Sequence, residues 1–306
     1  MGETGAIVVT GATGLVGRRL VDALRAAGSA VRVVSRRADP EGFDPRVEVA
    51  TWDGRHLEAK ALRGARALVH LAGEPIFAWP LTAQRRRRIH DSRIESTREL
   101  VASLAALPGG ERPECFVCAS AVGYYGSRGD EPLPESADPG EGFLAEVCIG
   151  WEHAALAASE LGVRTACLRF GIVLAREGGA LPTMAVPFRL GLGGPLGDGR
   201  QWLPWIHVDD LVSLVRAVLD DPAYAGPVNA VAPQAVTNAE LTRALGRVLG
   251  RPTLLRVPAF VLRGLLGELS GELLGSRRVI PGVAGERGFV FRHPDLEEAL
   301  RSELDD

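Results

Sequence analysis

Three glycines near the amino terminus have the spacing of a phosphate-binding turn. The chain reads Val8-Val9-Thr10-Gly11-Ala12-Thr13-Gly14-Leu15-Val16-Gly17, an apolar run that enters the glycines and continues with helical periodicity. In such a unit the first glycine permits a tight turn, the second lets backbone approach a pyrophosphate, and the third lets helix and strand pack closely. Free N–H groups and the positive dipole end at the helix start attract a diphosphate. The pattern predicts a dinucleotide site, against the alternative of a plain structural turn, with contacts from Gly11, Thr13, Gly14, Leu15, Val16 and Gly17.

The end of the second predicted strand discriminates between NAD and NADP. An acidic residue at this point would bind the ribose 2′-hydroxyl, whereas a basic residue would bind a 2′-phosphate. The chain reads Val33-Val34-Ser35-Arg36-Arg37, with no carboxylate. Arg36 can form a bidentate phosphate contact and Ser35 can add a second donor, so NADP(H) is favoured. The alternative is a pair of solvated surface arginines.

Other polar groups give weaker signals. Arg200, Trp202, Trp205, His207, Asp209 and Asp210 form the densest polar and aromatic group, suited to a small polar substrate. Asp209 or Asp210 could instead cap a helix, and His207 could serve packing. The six histidines are scattered, which predicts no metal site. Cys115 and Cys118 fall in an apolar run that reads as a buried strand, which favours core packing over a redox or zinc pair.

The elements that must position these residues alternate between strand and helix. We predict strands at 6–10, 30–35, 47–51, 67–71, 115–120 and 165–170, and helices at 15–27, 83–107, 145–161 and 208–219. The strands are apolar on both faces, as in a parallel sheet that helices cover on both sides. The fold class is therefore α/β, a Rossmann-type doubly wound parallel sheet with a small, mostly helical C-terminal lobe on the substrate side.

The glycine- and proline-rich segment 178–204 reads as a long loop or lid. From Thr237 onward the chain becomes mostly helical, with Asn238 in a first turn. We assign 1–175 and 204–232 to the NADP-binding Rossmann core. The ranges 176–203 and 233–306 form the substrate-side lobe and C-terminal helical domain.

Composition restricts the class of protein. The 306 residues are 46% hydrophobic and 24% charged, with a formal net charge of −3, which excludes disordered and fibrous classes. The charge balance argues against a nucleic-acid partner. The absence of a signal-peptide pattern or a bilayer-length apolar run predicts a cytoplasmic protein without a membrane partner.

Several segments resemble the extended branch of the short-chain dehydrogenase/reductase superfamily. These are the glycine turn, Val69-His70-Leu71-Ala72-Gly73 and Trp205-Ile206-His207-Val208-Asp209-Asp210. Trp79, Ile89-His90-Asp91-Ser92-Arg93, Phe143-Leu144-Ala145 and the closing Phe291-Arg292-His293-Pro294-Asp295 are similar to its atypical "epimerase family" subgroup. The resemblance implies NADP binding and adds cofactor contacts at Asp53, Leu71, Ala72, Gly73, Arg93 and Ser120.

The same resemblance exposes a departure. Catalytic members carry Tyr-x-x-x-Lys on a helix and a Ser or Thr after the fifth strand. Alignment on Trp151 and Tyr125 places Leu144, Cys148 and Ala121 at those positions, so the triad is absent. Ser120 and Tyr125 are candidates for a substitute proton donor on position alone.

Two functions follow. The first is an NADP(H)-dependent oxidoreductase or epimerase-like enzyme for an unidentified small carbonyl or hydroxyl substrate. The second is a non-catalytic NADP(H)-binding sensor with a protein partner, which the subgroup's plastid and cyanobacterial members connect to cell division. A homo-oligomer is compatible with both.

Overall fold

A computed structural model describes residues 5–54, 57–76, 80–267 and 270–305. Trp79, one of the residues that carry the family resemblance, lies outside these ranges. Seven parallel strands form the central sheet in the order β11-β7-β5-β4-β1-β2-β3. They are β1 Ala6–Thr10, β2 Val31–Ser35, β3 Glu48–Thr51, β4 Ala65–His70, β5 Cys115–Ala121, β7 Arg164–Phe170 and β11 Gly226–Ala230.

Helices cover both faces of this sheet. One face packs against α1 Leu15–Ala26 and α6 Val208–Asp220, through side chains such as Leu20 and Leu214. The other face packs against α3 Ile94–Ala105 and α4 Phe143–Leu156. The predicted α/β, doubly wound parallel sheet is confirmed, and its strands are apolar because both faces are buried.

The predicted helix 83–107 is wrong in one respect, because the chain forms two helices, α2 Ala83–Asp91 and α3. Ser92 donates its hydroxyl to the carbonyl of Ile89, and Arg93 donates a guanidinium N–H to the same carbonyl. Side chains that bond helix carbonyls compete with the helical ladder and can end it. The predicted helix 145–161 likewise divides into α4 and a 3-10 helix, Ala157–Leu161.

The segment 178–204 is not the uninterrupted loop that its glycines predicted. It contains α5 Leu181–Arg189, whose Leu181, Ala185 and Phe188 are buried at helical spacing. Pro182 is tolerated because the first turn of a helix needs no donor there. The glycines of the segment lie on either side of this helix, Gly178 and Gly179 before it and the others after it.

A separate apolar cluster in the C-terminal part includes Leu174, Phe188, Trp205, Leu245 and Leu300, and α7 Asn238–Val248 and α11 Leu296–Leu304 contribute to it. The other helices of this part are α8 Ala259–Leu266, α9 Ser270–Leu274 and α10 Gly282–Glu286, and Ala284 of α10 packs with the cluster of the central sheet. Short strands complete the chain: β6 Pro132–Leu133, β8 Ile172–Leu174, β9 Trp202–Leu203, β10 Trp205–His207, β12 Val236–Thr237 and β13 Arg278–Val279. The division of the chain into two domains at the predicted boundaries stays a prediction. Among the described helices, none combines the length and apolarity needed to cross a bilayer.

Candidate functional site

The glycine turn joins β1 to α1 at the carboxyl edge of the sheet. Gly11 has a φ of +70°, and a Cβ atom on it would lie 2.6 Å from the backbone nitrogen of Ala72. A Cβ atom on Gly17 would collide with the carbonyl oxygen of Gly11. Gly14 precedes α1 and provides no side-chain cap for its first N–H groups. The turn therefore requires glycine at these positions, and it leaves the first N–H groups of α1 without a side-chain acceptor. Both properties fit the phosphates of a dinucleotide.

The rest of the turn differs in exposure. Thr13 and Gly14 are exposed, whereas Leu15 and Val16 are half-buried. The segment that precedes α5 lies over the turn, since a Cβ atom on Gly179 would lie 3.2 Å from Leu15 Cδ2. The start of α1 thus contacts the chain beyond β8, and we use the term cleft for the surface bounded by the glycine turn, the end of β4 and this chain.

The end of β4 forms a second side of this cleft. The amide of Leu71 donates to the carbonyl of Thr10 at 3.1 Å, which holds the two strand ends together. Leu71 and Ala72 contact the Gly11 turn, and Gly73 is exposed. A Cβ atom on Gly73 would lie 3.2 Å from the guanidinium carbon of Arg93. The predicted contacts Leu71, Ala72, Gly73 and Arg93 therefore lie together.

Arg93 is a buried cation whose hydrogen bonds in the described structure all go to uncharged groups. It is 8% exposed, donates to the carbonyls of Glu74 and Ile89, and lies 5.1 Å above the ring of Trp151. Burial lowers the pKa of its guanidinium. Within the described ranges no carboxylate forms an ion pair with Arg93, so its charge is available to an anionic ligand.

The corner at the end of β2 carries the residues predicted to bind a 2′-phosphate. Arg36 and Arg37 are exposed, and Ser35 Oγ accepts from the amide of Arg37 at 3.1 Å. Sequence reasoning missed Arg18 on α1, whose guanidinium donates to the carbonyls of Thr13 and Glu41. For the part of the chain described here, neither Arg18 nor Arg36 has an ion pair. Arg18 follows the third glycine directly, and that position was the signal that could have identified it.

Asp53 follows β3 at the same edge of the sheet. Its side chain is exposed, and the amide of the preceding Trp52 donates to the carbonyl of Ser35 at 2.9 Å. Asp53 is thus adjacent to the 2′-phosphate corner, as expected for an adenine contact. That role stays a prediction.

A buried aromatic group lies beneath this edge. His70 shares a 2.6 Å hydrogen bond between Nδ1 and Thr10 Oγ1, and its ring contacts Trp52 and Trp151 edge-on. Burial, with a smaller effect of the Arg93 charge, lowers the pKa of His70 to about 3. The imidazole is therefore neutral at physiological pH and cannot act as a cation.

The three positions aligned with the missing triad, Ala121, Leu144 and Cys148, lie close together around Gly123. A Cβ atom on Gly123 would lie 3.6 Å from Cys148 Sγ and 3.7 Å from Leu144 Cβ, and Gly123 follows Ala121 by two residues. Burial raises the pKa of the Cys148 thiol to about 12. The alignment therefore brings together the expected positions, but none of Ala121, Leu144 and Cys148 can donate a proton near neutral pH.

Ser120 and Tyr125 belong to a buried network rather than to the surface of the cleft. Ser120 Oγ donates to Glu152 Oε1 at 2.6 Å, and Glu152 forms a bidentate ion pair with Arg169 at 2.8 Å. Tyr125 donates to Asn229 Oδ1 and accepts from Arg169, both at 2.7 Å. Ser120 is 2% exposed and Tyr125 is fully buried, and burial raises the pKa of Tyr125 to about 12. Both hydroxyls therefore have partners inside the protein, since Ser120 bonds Glu152 of α4 and Tyr125 bonds Asn229 of β11 and Arg169 of β7. The assignment of Ser120 and Tyr125 as substitute proton donors, and of Ser120 as a cofactor contact, stays a prediction.

Tyr124 lies beside the candidate Tyr125 in sequence but differs from it in exposure. It lies in a 3-10 turn, Val122–Tyr125, directly after β5, and is half-buried, whereas Tyr125 and Tyr224 are buried. The guanidinium carbon of Arg169 lies 3.5 Å from the centre of its ring. Tyr124 is thus a partly accessible hydroxyl-bearing side chain next to Ala121.

The predicted substrate group around Trp205 does not converge. Trp205 is buried and donates to the carbonyl of Gln234, while Trp202 donates to Asp130 at 2.6 Å. Arg200 is exposed. These side chains were close in sequence, but alternation along β9 and β10 directs them to different neighbours.

The predicted cap on α6 is wrong. His207, rather than Asp209 or Asp210, caps the helix by accepting from the amide of Asp209 at 3.1 Å. Asp210 accepts from the amides of Arg292 and His293 and so holds the segment before α11.

Although the histidines are scattered in sequence, two of them, His207 and His293, lie together in the folded protein. The rings of His207 and His293 stack 3.8 Å apart, and with Asp209 they offer ligand atoms within 4.8 Å of one another. However, Nδ1 of His207 accepts the capping bond and Nε2 lies 3.0 Å from Glu303 Oε1. Since both nitrogens already have protein partners, the group is explained by helix capping, and the prediction of no metal site stays a prediction.

Comparison with known proteins gives matches over nearly the whole chain. Residues 7–231 match the NAD dependent epimerase/dehydratase family, and residues 257–303 match a domain of unknown function, DUF1731. The Arabidopsis thaliana protein named "Epimerase family protein SDR39U1 homolog, chloroplastic" is 41% identical over 306 residues, covering 97% of this chain and 86% of its own. The Mycobacterium bovis epimerase family protein Mb2239 is 37% identical over 96% of both chains.

A solved structure has the same overall fold. Human epimerase family protein SDR39U1, crystallised with NADPH, superimposes with a TM-score of 0.86 at 32% identity, covering 98% of this chain and 99% of the human chain. The structure described as a nucleoside-diphosphate sugar epimerase from Corynebacterium glutamicum gives a TM-score of 0.80 at 34% identity. That match covers 99% of this chain and 59% of the other.

Proposed function

Because the chain belongs to the NAD-dependent epimerase/dehydratase family, we propose that it binds NADP(H) at the glycine turn and acts as an oxidoreductase or epimerase-like enzyme on a small carbonyl or hydroxyl substrate. The observation that carries the cofactor choice is that Arg36, directly after β2, and Arg18, which donates to the carbonyl of Glu41, have no ion pair within the described ranges. A 2′-phosphate would supply the missing anion. The human relative solved with NADPH supports the same choice.

The geometry of the cleft supports a separate role for each group of residues in cofactor binding. The N–H groups at the start of α1 would hold the diphosphate, and Arg93 would place a positive charge beside Gly73. When bound, NADP(H) supplies or accepts the hydride. The protein then has to orient the substrate and move one proton.

Tyr124 is our candidate for the group that donates or accepts this proton. The guanidinium of Arg169 lies over its ring. Its hydroxyl is carried by a half-buried side chain directly after β5, three residues beyond Ala121, the position aligned with the missing Ser or Thr. Tyr124 would thus replace the group that Leu144 and Ala121 cannot provide.

The second candidate function is an NADP(H)-binding sensor that acts through a protein partner. The observation that favours it is the apolar contact among Gly123, Leu144 and Cys148, which leaves the usual proton-donor positions without a usable donor. Such a protein would bind cofactor tightly and turn over no substrate. The cytoplasmic location and the absence of a nucleic-acid partner predicted from the sequence apply to both candidates.

Calorimetric titration with NADPH and NADH tests the cofactor. Loss of one charge-assisted contact is worth about 1.5–3 kcal/mol, so Arg36→Ala or Arg18→Ala should weaken NADPH about tenfold or more. NADH binding should change little, and Arg287→Ala, at an exposed arginine after α10, is the matched control. Equal affinity of the unmodified protein for both cofactors would refute the 2′-phosphate argument.

A panel of carbonyl substrates, followed by loss of NADPH absorbance, tests the chemistry. Tyr124→Phe should lower kcat by about a hundredfold or more with little change in NADPH affinity, because proton transfer contributes roughly that factor. Turnover that survives in Tyr124→Phe would remove this residue from the mechanism. Tight NADPH binding with no turnover of any substrate in the panel would favour the sensor.

A further inference from the structure

Exposed apolar side chains are concentrated on one part of the C-terminal lobe. Among the described residues, nine large hydrophobic side chains are exposed, and six of them, each 52 to 86% exposed, lie in the segments 190–192 and 254–265. We call this group the lobe patch; it consists of Leu190, Leu192, Leu254, Leu255, Phe260 and Leu265. Single exposed apolar residues are common, but a concentration of this kind marks an interaction surface.

Backbone contacts join the two chain segments that carry the patch. The amide of Val257 donates to the carbonyl of Pro195 at 3.0 Å, and the amide of Gly197 donates to the carbonyl of Val257 at 2.9 Å. A Cβ atom on Gly194 would collide with the carbonyl of Leu255. The residues after α5 therefore run beside those before α8, which places the exposed Leu255 next to Gly194.

The charge of these segments is entirely positive. Residues 181–197 and 250–267 contain four arginines and no acidic residue, in a chain whose net charge is −3. The four are exposed, and no carboxylate in the described ranges pairs with any of them: Arg189, Arg251, Arg256 and Arg263. A partner for this surface must therefore be both apolar and negatively charged.

These observations favour a bilayer over a second copy of the chain. A two-fold interface would place the same arginines against one another, which costs energy. Side chains exposed by more than half their area protrude from the surface rather than line a groove, and α8 presents Phe260 and Leu265 to solvent beside Arg263. Protruding apolar residues flanked by arginines suit the boundary between headgroups and acyl chains.

We propose that the lobe patch docks the protein onto the surface of a membrane rich in anionic lipids. The leucines and Phe260 would enter the interfacial region while the arginines contact lipid phosphates. This is adsorption to a membrane surface and needs no spanning helix. It revises the prediction of no membrane partner, which rested on the lack of a bilayer-length apolar run and did not consider surface clusters.

Cosedimentation of the full chain with vesicles tests the proposal. We expect binding to phosphatidylcholine vesicles that contain phosphatidylglycerol and at least about tenfold weaker binding to pure phosphatidylcholine, since each arginine near an anionic surface contributes about fivefold. Leu254→Ser combined with Phe260→Ser should weaken binding to the anionic vesicles by about tenfold or more. Arg256→Glu combined with Arg263→Glu should weaken it at least as much and remove its salt dependence.

Matched control variants distinguish binding through the lobe patch from nonspecific adsorption to vesicles. Val290→Ser removes an apolar side chain that is 81% exposed outside the patch, and Arg287→Glu reverses an exposed charge outside it. Both should bind anionic vesicles as the unmodified protein does. Any of three results would overturn the proposal: no binding to anionic vesicles at low salt, equal losses in the controls, or a stable dimer in light scattering that the patch substitutions dissociate.

Discussion

The buried imidazole of His70 should make stability depend on pH in a way that one substitution removes. Its pKa is about 3 in the folded protein, compared with an ordinary value of 6.5, because burial and the charge of Arg93 disfavour the protonated form. Between these two values the unfolded chain binds a proton that the native protein does not. The unfolding free energy therefore has its full value above the pKa of His70 in the unfolded chain, and it decreases as pH falls from that pKa towards the lower pKa of the folded protein.

The size of the effect follows from the two pKa values. Integrated over the proton uptake of the unfolded chain, the native state loses about 1.4 kcal/mol between about pH 7.5 and about pH 5.5 from His70 alone. The loss should continue at about 1.4 kcal/mol per further pH unit until the folded pKa is reached.

Urea unfolding of the unmodified protein and of His70→Phe at several pH values measures this term. Phenylalanine retains an aromatic ring against Trp52 and Trp151 but does not titrate. The unfolding free energy of the unmodified protein minus that of His70→Phe should fall by about 1.4 kcal/mol on going from about pH 7.5 to about pH 5.5, because the effects of the other titrating groups cancel in this difference. His70→Gln offers a second non-titrating side chain that retains a polar partner for Thr10. A difference that stays constant across this range would refute the reasoning.

Three further predictions concern the ion-pair network, the glycine turn and a helix cap. Glu152→Gln leaves Arg169 buried without its carboxylate and should cost about 3–5 kcal/mol in urea unfolding; a loss below about 1 kcal/mol would contradict a buried ion pair. Gly17→Ala should weaken NADPH binding by about tenfold or more in calorimetry, because its Cβ atom would displace the carbonyl of Gly11. Gly109→Ala, whose Cβ atom would have no neighbour within 4 Å, should bind normally. Thr237→Ala removes the capping box of α7 and should lower the unfolding free energy by about 1 kcal/mol, with no change expected from Thr183→Ala at an exposed position in α5.

The strands and the cofactor turn could be predicted because their signals are local. β1 matches its predicted bounds, and β2, β3 and β5 differ from theirs by one residue at one end. A run that is apolar on both faces is readable without knowing which helices cover it. The break at Ser92 and Arg93 was not readable, because it depends on side chains that bond the carbonyl of Ile89 only once α2 packs beside Glu74.

The site divides in the same way. Gly11, Gly14 and Gly17 need a specific backbone geometry within seven residues, so their spacing alone determined the turn, and Arg36 with the lack of a nearby acid determined the preference for NADP(H). The absence of the triad was also visible in sequence, since no tyrosine is followed by lysine at the required spacing.

Only the tertiary structure decided which polar side chains are available. Ser120 and Tyr125 looked alike as donors, but Glu152, Arg169 and Asn229 reach them from positions 32 to 104 residues away and bond both hydroxyls. His207 became a helix cap, and backbone contacts brought the segment after α5, which begins beside Arg189, next to the segment that carries Arg256. Partners and burial are properties of packing between distant segments, whereas backbone conformation and apolar periodicity are encoded within a few consecutive residues.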